Sequence, residues 1–276
     1  MSDGPNPLGQ FVRARRELVT PEQAGIPAFG PRRVPGLRRE EVAMLAGISA
    51  DYYLRLEQGR DRNPSAQVLE SLARVLRLDD DATAHLLRLG AGRPRRRRER
   101  APEEIVPEGI GKLVGTLPLP AYVEGRCFDV LAANALATAL SPRLVAGANR
   151  LRDLFLDPAE QALYPDWENA TAGLVAGFRE SVGTYTDDPR FIELVGELSL
   201  ASPRFSRLWA RHDVRVCEGA PLRIDHPQVG GLLLNRERLG VGGTAGQMLV
   251  VHHPDPGGDS ADKLALLASA VRTPTR

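Results

Sequence analysis

The sequence predicts two domains, an all-α bundle of five short helices followed by an α+β domain around an antiparallel sheet. Three observations predict it. At 276 residues the chain exceeds one typical domain. Apolar residues recur at helical spacing in the first third, whereas the second half holds short β-prone runs on either side of a set of helices. An Arg- and Pro-rich stretch separates the two patterns. The expected boundaries are a helical domain over residues 1–92, a linker over 93–108 and a second domain over 109–276.

The elements follow in order. Leu8, Phe11, Val12 and Leu18 are spaced as one apolar face, with Arg13, Arg15 and Arg16 on the others, and this first helix stops before Thr20-Pro21. Residues 21–36 contain four prolines and three glycines and read as an irregular loop presenting Arg32 and Arg33. From Arg38, Val42, Ala43, Leu45 and Ala46 form the apolar side of a second helix, which Gly47 stops. Ser49 can cap a third helix running to Gln58, with Tyr53 and Leu56 facing inward and Ala50, Asp51, Tyr52 and Arg55 outward. Two helices joined by a tight glycine-containing turn make a helix-turn-helix. Asn63-Pro64-Ser65 opens a fourth helix bearing Leu69, Leu72 and Leu76, and Asp79 caps a fifth bearing Ala82, Leu86 and Leu87.

Beyond the linker, with its run Arg95 to Arg98, residues 121–124 and 127–132 read as a hairpin around Gly125-Arg126. Residues 222–225, 231–239 and 247–252 read as three further strands. Between these sets, Asp157-Pro158, Asp188-Pro189 and Ser202-Pro203 each pair a capping side chain with proline at the first helical position.

Composition narrows the function. Apolar residues make up 42% and charged residues 26%, the pattern of a folded globular chain, and no apolar run is long enough to span a membrane. The N-terminus lacks the basic-then-apolar order of a signal peptide, so a cytoplasmic location is expected. Cys127 and Cys217 are far apart and outside any CxxC spacing, as for reduced thiols. A net charge of +1 conceals an asymmetry: residues 1–100 hold 19 Arg and no Lys against 13 acidic residues, whereas the remainder holds 17 basic and 22 acidic. The N-terminal part is therefore the polyanion-binding candidate. Gly240 to Ala245 fits GxGxxA but leads into a strand, so it reads as a hairpin turn. His252, His253 and Asp255 lack further spaced ligands for a metal. Neither catalysis nor a cofactor is indicated.

Residues 39–59, REEVAMLAGISADYYLRLEQG, resemble the helix-turn-helix core of the xenobiotic-response-element family, which includes the phage repressors. The strings GLRREEVAMLAGIS, DLFLDPAEQALYPDWE, DDPRFIELVGELS and SPRFSRLWARHDVR resemble transcriptional regulators with a C-terminal MmyB-like, PAS-like ligand-binding domain. The resemblance implies that Arg39 contacts a phosphate of operator DNA and that Ala50, Asp51 and Arg55 read bases. Physical chemistry agrees, since an arginine on a helix in the major groove can bond guanine bidentately and an alanine can meet a thymine methyl. Ser49, Tyr52 and Arg60 complete the DNA-facing set, and Arg32, Arg33 and Arg38 could extend its phosphate footprint. Asp51 is either a base reader or the partner of Arg55 four residues on. Glu57 matches the family's scaffolding acid and is expected to pair with Arg15 or Arg16.

For the second domain the resemblance implies a small-molecule effector, such as a fatty acid. Phe128, Trp167, Leu174, Phe178, Arg179, Val182, Trp209 and His212 could line its cavity, with Arg179 or His212 near a carboxylate, or could form a filled core. A homodimer is expected, because such heads read half-sites about 34 Å apart. The alternative is a second domain serving protein interaction or dimerisation without a ligand.

Overall fold

The computed structural model describes residues 6–27, 34–61, 63–91, 104–182, 188–215 and 219–272. Arg32, Arg33, Arg95 to Arg98 and Cys217 lie outside them. Two compact units emerge, the first holding the N-terminal helices together with Arg207–Arg215 and the second the remaining elements.

The first unit contains helices α1 (Pro7–Leu18), α2 (Arg39–Ala46), α3 (Ala50–Glu57), α4 (Ala66–Val75) and α5 (Asp80–Gly90). Their apolar faces meet in one core that includes Phe11, Val12, Val42, Tyr53, Leu56, Leu69, Leu72 and Leu86. Leu45, expected on the apolar side of its helix, is instead 38% exposed, because Val42, Ala43 and Ala46 already fill the buried stripe of α2. Caps arise where the residues suggested them: Ser49, Ser65 and Asp79 each accept a backbone N–H three residues on. Gly9 marks a close crossing, since a Cβ there would collide with the Glu57 carbonyl. Arg207–Arg215 joins the same unit: Val214 is buried in its core, and Asp213 accepts from Arg15 Nη1 at 2.6 Å.

The second unit opens with α6 (Glu108–Thr116), β1 (Ala121–Glu124) and β2 (Val130–Ala133). Then come α7 (Ala135–Leu140), α8 (Arg150–Leu156), α9 (Pro158–Gln161), α10 (Trp167–Val182), α11 (Pro189–Ala201) and α12 (Pro203–Ala210), the last turn of which is counted with the first unit. Strands β3 (Ala220–His226), β4 (Gly230–Gly240) and β5 (Met248–His253) and helix α13 (Asp259–Arg272) complete it. The sheet is antiparallel in the order β2-β1-β5-β4-β3. The expected segment 240–245 is the turn of the β4–β5 hairpin.

Strand alternation gives the sheet two faces. Ala121, Val123 and Leu249 pack with Val114 of α6 on one. On the other, Tyr122, Val130 and Val250 meet Ala137 of α7, while Ile224, Leu232 and Leu234 meet Leu264 and Leu267 of α13. Asn134 ties α7 to the sheet, accepting from Ala137 N at 2.9 Å and donating to the Leu119 carbonyl at 2.7 Å. Among the described residues no helix is long and apolar enough to cross a membrane.

Candidate functional site

The α2–α3 turn is set by three residues. Gly47 adopts a left-handed conformation at φ 69°, and its N–H closes α2 on the Ala43 and Met44 carbonyls. Ile48 N–H donates to the Ala43 carbonyl at 3.0 Å. Ser49 Oγ then accepts from Tyr52 N at 3.1 Å, fixing the first turn of α3. Tyr53, Leu56 and Glu57 take the buried side of α3, so Ser49, Ala50, Asp51 and Arg55 are exposed together and Tyr52 is half-buried beside them.

The exposed side has its own electrostatics. Arg55 and Asp51 form an ion pair, and the Arg55 guanidinium lies 5.8 Å from the centre of the Tyr52 ring. Of the two roles open to Asp51, the ion pair is the one seen in the free chain. Burial and then Asp61 raise the Tyr52 phenol above its ordinary value, so at neutral pH the hydroxyl keeps its proton and can donate. Arg38 and Arg60 are exposed.

Arg39 has a second engagement. Its Nε donates to Glu57 Oε2 at 2.7 Å, while Arg16 Nε donates to Glu57 Oε1 at 2.7 Å and Arg16 Nη1 to the Leu37 carbonyl at 2.8 Å. Of the two first-helix arginines, Arg16 and not Arg15 is thus bonded to Glu57. Burial alone would push the Glu57 carboxyl up, but the hydrogen bonds from Arg16 and Arg39 outweigh it and hold the pKa below the usual range. Arg39 remains 43% exposed, which leaves an edge of its guanidinium available to a phosphate.

In the second unit the sequence-derived ligand residues divide into groups. Phe128 and Phe178 are buried with ring centres 5.6 Å apart, and Leu174 and Val182 share the buried side of α10 with Phe178. Arg179 is half-buried on the same helix. Trp167 packs on Phe155 at 6.3 Å and donates from Nε1 to the Leu154 carbonyl at 3.0 Å. Trp209 and His212 belong to the first unit, where the His212 ring lies 6.4 Å from that of Phe11. A cavity of about 630 Å³ lies elsewhere in the second unit, between α7, α9, the β3–β4 turn and α13. Thr138, Glu160, Leu163, His226 and Leu267 are among its lining residues, and none of the eight sequence-derived ligand residues is.

Sequence reasoning missed a polar stripe on the inner face of the sheet. Glu124, fully buried, accepts from Arg150 Nη1 at 2.6 Å and from Arg238 Nε and Nη2 at 2.9 and 2.6 Å. Asn149 caps α8 through Arg152 N, which orients Arg150 at the first helical position. The Arg150 guanidinium stands 5.2 Å from the Tyr122 ring centre, and Tyr122 stacks on His252 at 5.9 Å. Arg236 is the cross-strand partner of His252. A signal existed in the alternation of Leu232, Leu234, Arg236 and Arg238. Read by period alone, the two arginines suggest solvent.

His252, His253 and Asp255 do not converge. His252 and His253 project to opposite sheet faces, and Asp255 accepts from Asn235. Among the described residues no group of three His, Cys, Asp or Glu side chains could hold a metal ion. Burial, followed by Asp188 and Asp129, pushes the Cys127 thiol up to about 12, so it behaves as a small apolar group.

The family model described as MmyB-like transcription regulator ligand binding domain matches residues 106–267. A helix-turn-helix domain model matches residues 7–86. No curated protein matches.

Proposed function

Because the chain belongs to the MmyB-like transcription regulators, we propose that it is a homodimeric DNA-binding regulator that reads its operator through α3 and answers to a hydrophobic or acidic small molecule. DNA binding and a ligand-binding domain come with the family. The operator contacts, the dimer and the ligand class are the proposal.

One observation supports the DNA contacts above all: α3 is fastened from beneath by Tyr53, Leu56 and Glu57 while Ser49, Ala50, Asp51 and Arg55 stand exposed together. A rigid helix with such a face fits the major groove. Arg55 reads guanine, exchanging its bond to Asp51 for O6 and N7, and Asp51 then accepts from a cytosine amino group. Ala50 meets a thymine methyl. Tyr52, Arg38, Arg39 and Arg60 hold phosphates. Arg32 and Arg33, a few residues before α2 in the sequence, extend that footprint.

Two heads are needed because one alone makes few contacts, and the ligand acts by its different affinity for two arrangements of the heads. The strand order β2-β1-β5-β4-β3 supports a PAS-like arrangement of the ligand domain. The protein works in the cytoplasm, where its operator is.

Selection of bound DNA from a random pool tests the reading directly. Arg55→Ala should relax preference at one base pair of each half-site, costing about 1–3 kcal/mol on the selected operator and little on scrambled DNA. Equal losses on both would remove Arg55 from base reading. The mutual packing of Phe128 and Phe178 favours a second reading, an interaction module with a filled core. Denaturing mass spectrometry of the purified chain separates the two, since a copurified small molecule belongs only to the first.

A further inference from the structure

The cavity of about 630 Å³ beside α13 has the size of a small-molecule site. Leu163, Leu267 and Val271 give it an apolar wall, and its charged lining consists of Asp157, Glu160 and Arg143. The two carboxylates exceed the single guanidinium by one negative charge. Asp157 is already served, because it pairs with Arg143 and accepts from Ala159 N at 2.8 Å. Glu160 is only 7% exposed, and its partners are hydroxyls: Ser141 Oγ donates to Oε2 at 2.6 Å and the Tyr164 hydroxyl to Oε1 at 3.3 Å. Among the described residues no cation forms an ion pair with it, since Arg143 is held by Asp157 and Arg150 by Glu124. His226, buried in the same lining, has both ring nitrogens engaged. Its Nδ1 accepts from Gln228 N at 3.2 Å, which leaves Nε2–H to donate to the Ala139 carbonyl at 2.9 Å.

A buried carboxylate is costly without a counter-charge, and two hydroxyls supply only part of one. Burial pushes the Glu160 carboxyl up, with Asp153 of α8 adding to it, while Ser141, Arg150 and Tyr164 pull it back, so a cation brought beside it is stabilising. The geometry points to a binding site for an organic monocation, its ammonium on the Glu160 carboxylate and its apolar body against Leu163, Leu267 and Val271. An acid is disfavoured in this space, because it would meet Glu160, and His226 has no ring hydrogen left to give it. None of the residues assigned to the acidic effector lines the cavity, so this is a second site and does not rest on that reading.

Titration calorimetry of the full chain at neutral pH with hexylamine, hexanol and hexanoate tests it, using wild type, Glu160→Gln and Ala270→Trp. Hexylamine is charged under these conditions, as a lysine side chain is. Wild type should bind it about tenfold tighter than hexanol. Glu160→Gln keeps the shape of the side chain and should lose that preference while binding hexanol as before. Ala270 lines the cavity and is exposed on α13, so a larger side chain there fills the space without entering the core. Ala270→Trp should therefore abolish binding of hexylamine and hexanol alike. Hexanol bound as tightly as hexylamine, an amine preference kept by Glu160→Gln, or wild-type hexylamine affinity in Ala270→Trp would each overturn the cation site, as would hexylamine that does not bind at all. Should Glu160→Gln fail to fold, the amine preference of wild type and its loss in Ala270→Trp decide alone. Hexanoate bound equally by wild type and Ala270→Trp would support two separate sites, whereas hexanoate lost together with hexylamine in that variant would overturn their separation.

Discussion

His252, 2% exposed within β5, faces Tyr122, Glu124, Arg150, Arg236 and Arg238, with His253 next in the chain. Its pKa is lowered from 6.5 to about 3, first by burial and then by Arg150 and Arg236. The ring is neutral in the fold and free to take a proton once unfolded, so its contribution to stability is complete above about pH 6.5 and is lost as pH falls towards 3. Within that window this histidine should add a slope of about 1 kcal/mol per pH unit. Urea unfolding of wild type and His252→Leu between pH 4.5 and pH 7.5, roughly inside and above that window, should show the slope shrinking in the variant. Parallel curves would mean that His252 is protonated in the fold. Nothing in the sequence marks this residue as buried. A histidine at a strand end beside prolines suggests an edge, and only the pairing of β5 between β1 and β4 buries it. Glu57 is the opposite case, visible as a scaffolding acid through the family resemblance, and the structure sets it on the buried side of α3 with Arg16 facing it.

At the scale of elements, α2 and α3 were legible because each end has its own chemistry: glycine to stop the first, serine to cap the second, apolar side chains at helical spacing within both. Gly47 is the test of that reading. An added Cβ would meet nothing within 4 Å, so Gly47→Ala isolates the left-handed backbone conformation from any steric clash. The substitution should destabilise the first unit by about 1 kcal/mol, measured by denaturant unfolding, with little change in affinity for DNA under conditions where the chain is folded. A neutral effect would mean that the turn can relax without glycine. Other elements were harder to read. In α6 the residues EGIGKLVGT include three glycines, which weaken a helix intrinsically, and the helix is held by packing Val114 on the sheet. The strands β3 to β5 were legible from β-branched and leucine-rich runs, but which of their polar residues turn inward depends on α7, α8 and α10, and no local pattern records that.

At the scale of the molecule, the charge difference between the chain's N-terminal and later parts was legible from composition, as was the division into a helical and a mixed domain. The membership of Arg207–Arg215 in the first unit was not, because SPRFSRLWARHDVR reads as a helix continuing its own domain. Val214, 6% exposed, sits in the core formed by α1 to α5. Val214→Ala in the full chain should therefore cost the first unit about 1–2 kcal/mol and raise the hydrogen-exchange rates of amides in α1. If exchange changed only in β3 to β5, Val214 would belong to the other core.

That placement has a consequence for synthesis. A chain emerging from the ribosome has made all five N-terminal helices by Gly90, but the residue that fills the remaining place in their core arrives only at Val214. At ordinary elongation rates the interval is on the order of ten seconds. During it the head lacks Val214 and the Asp213 partner of Arg15. A message broken or a ribosome stalled within that stretch would release a head that is short of its full stability and open to proteolysis. Full stability of the head is thereby reserved for chains in which most of the second domain has already been made.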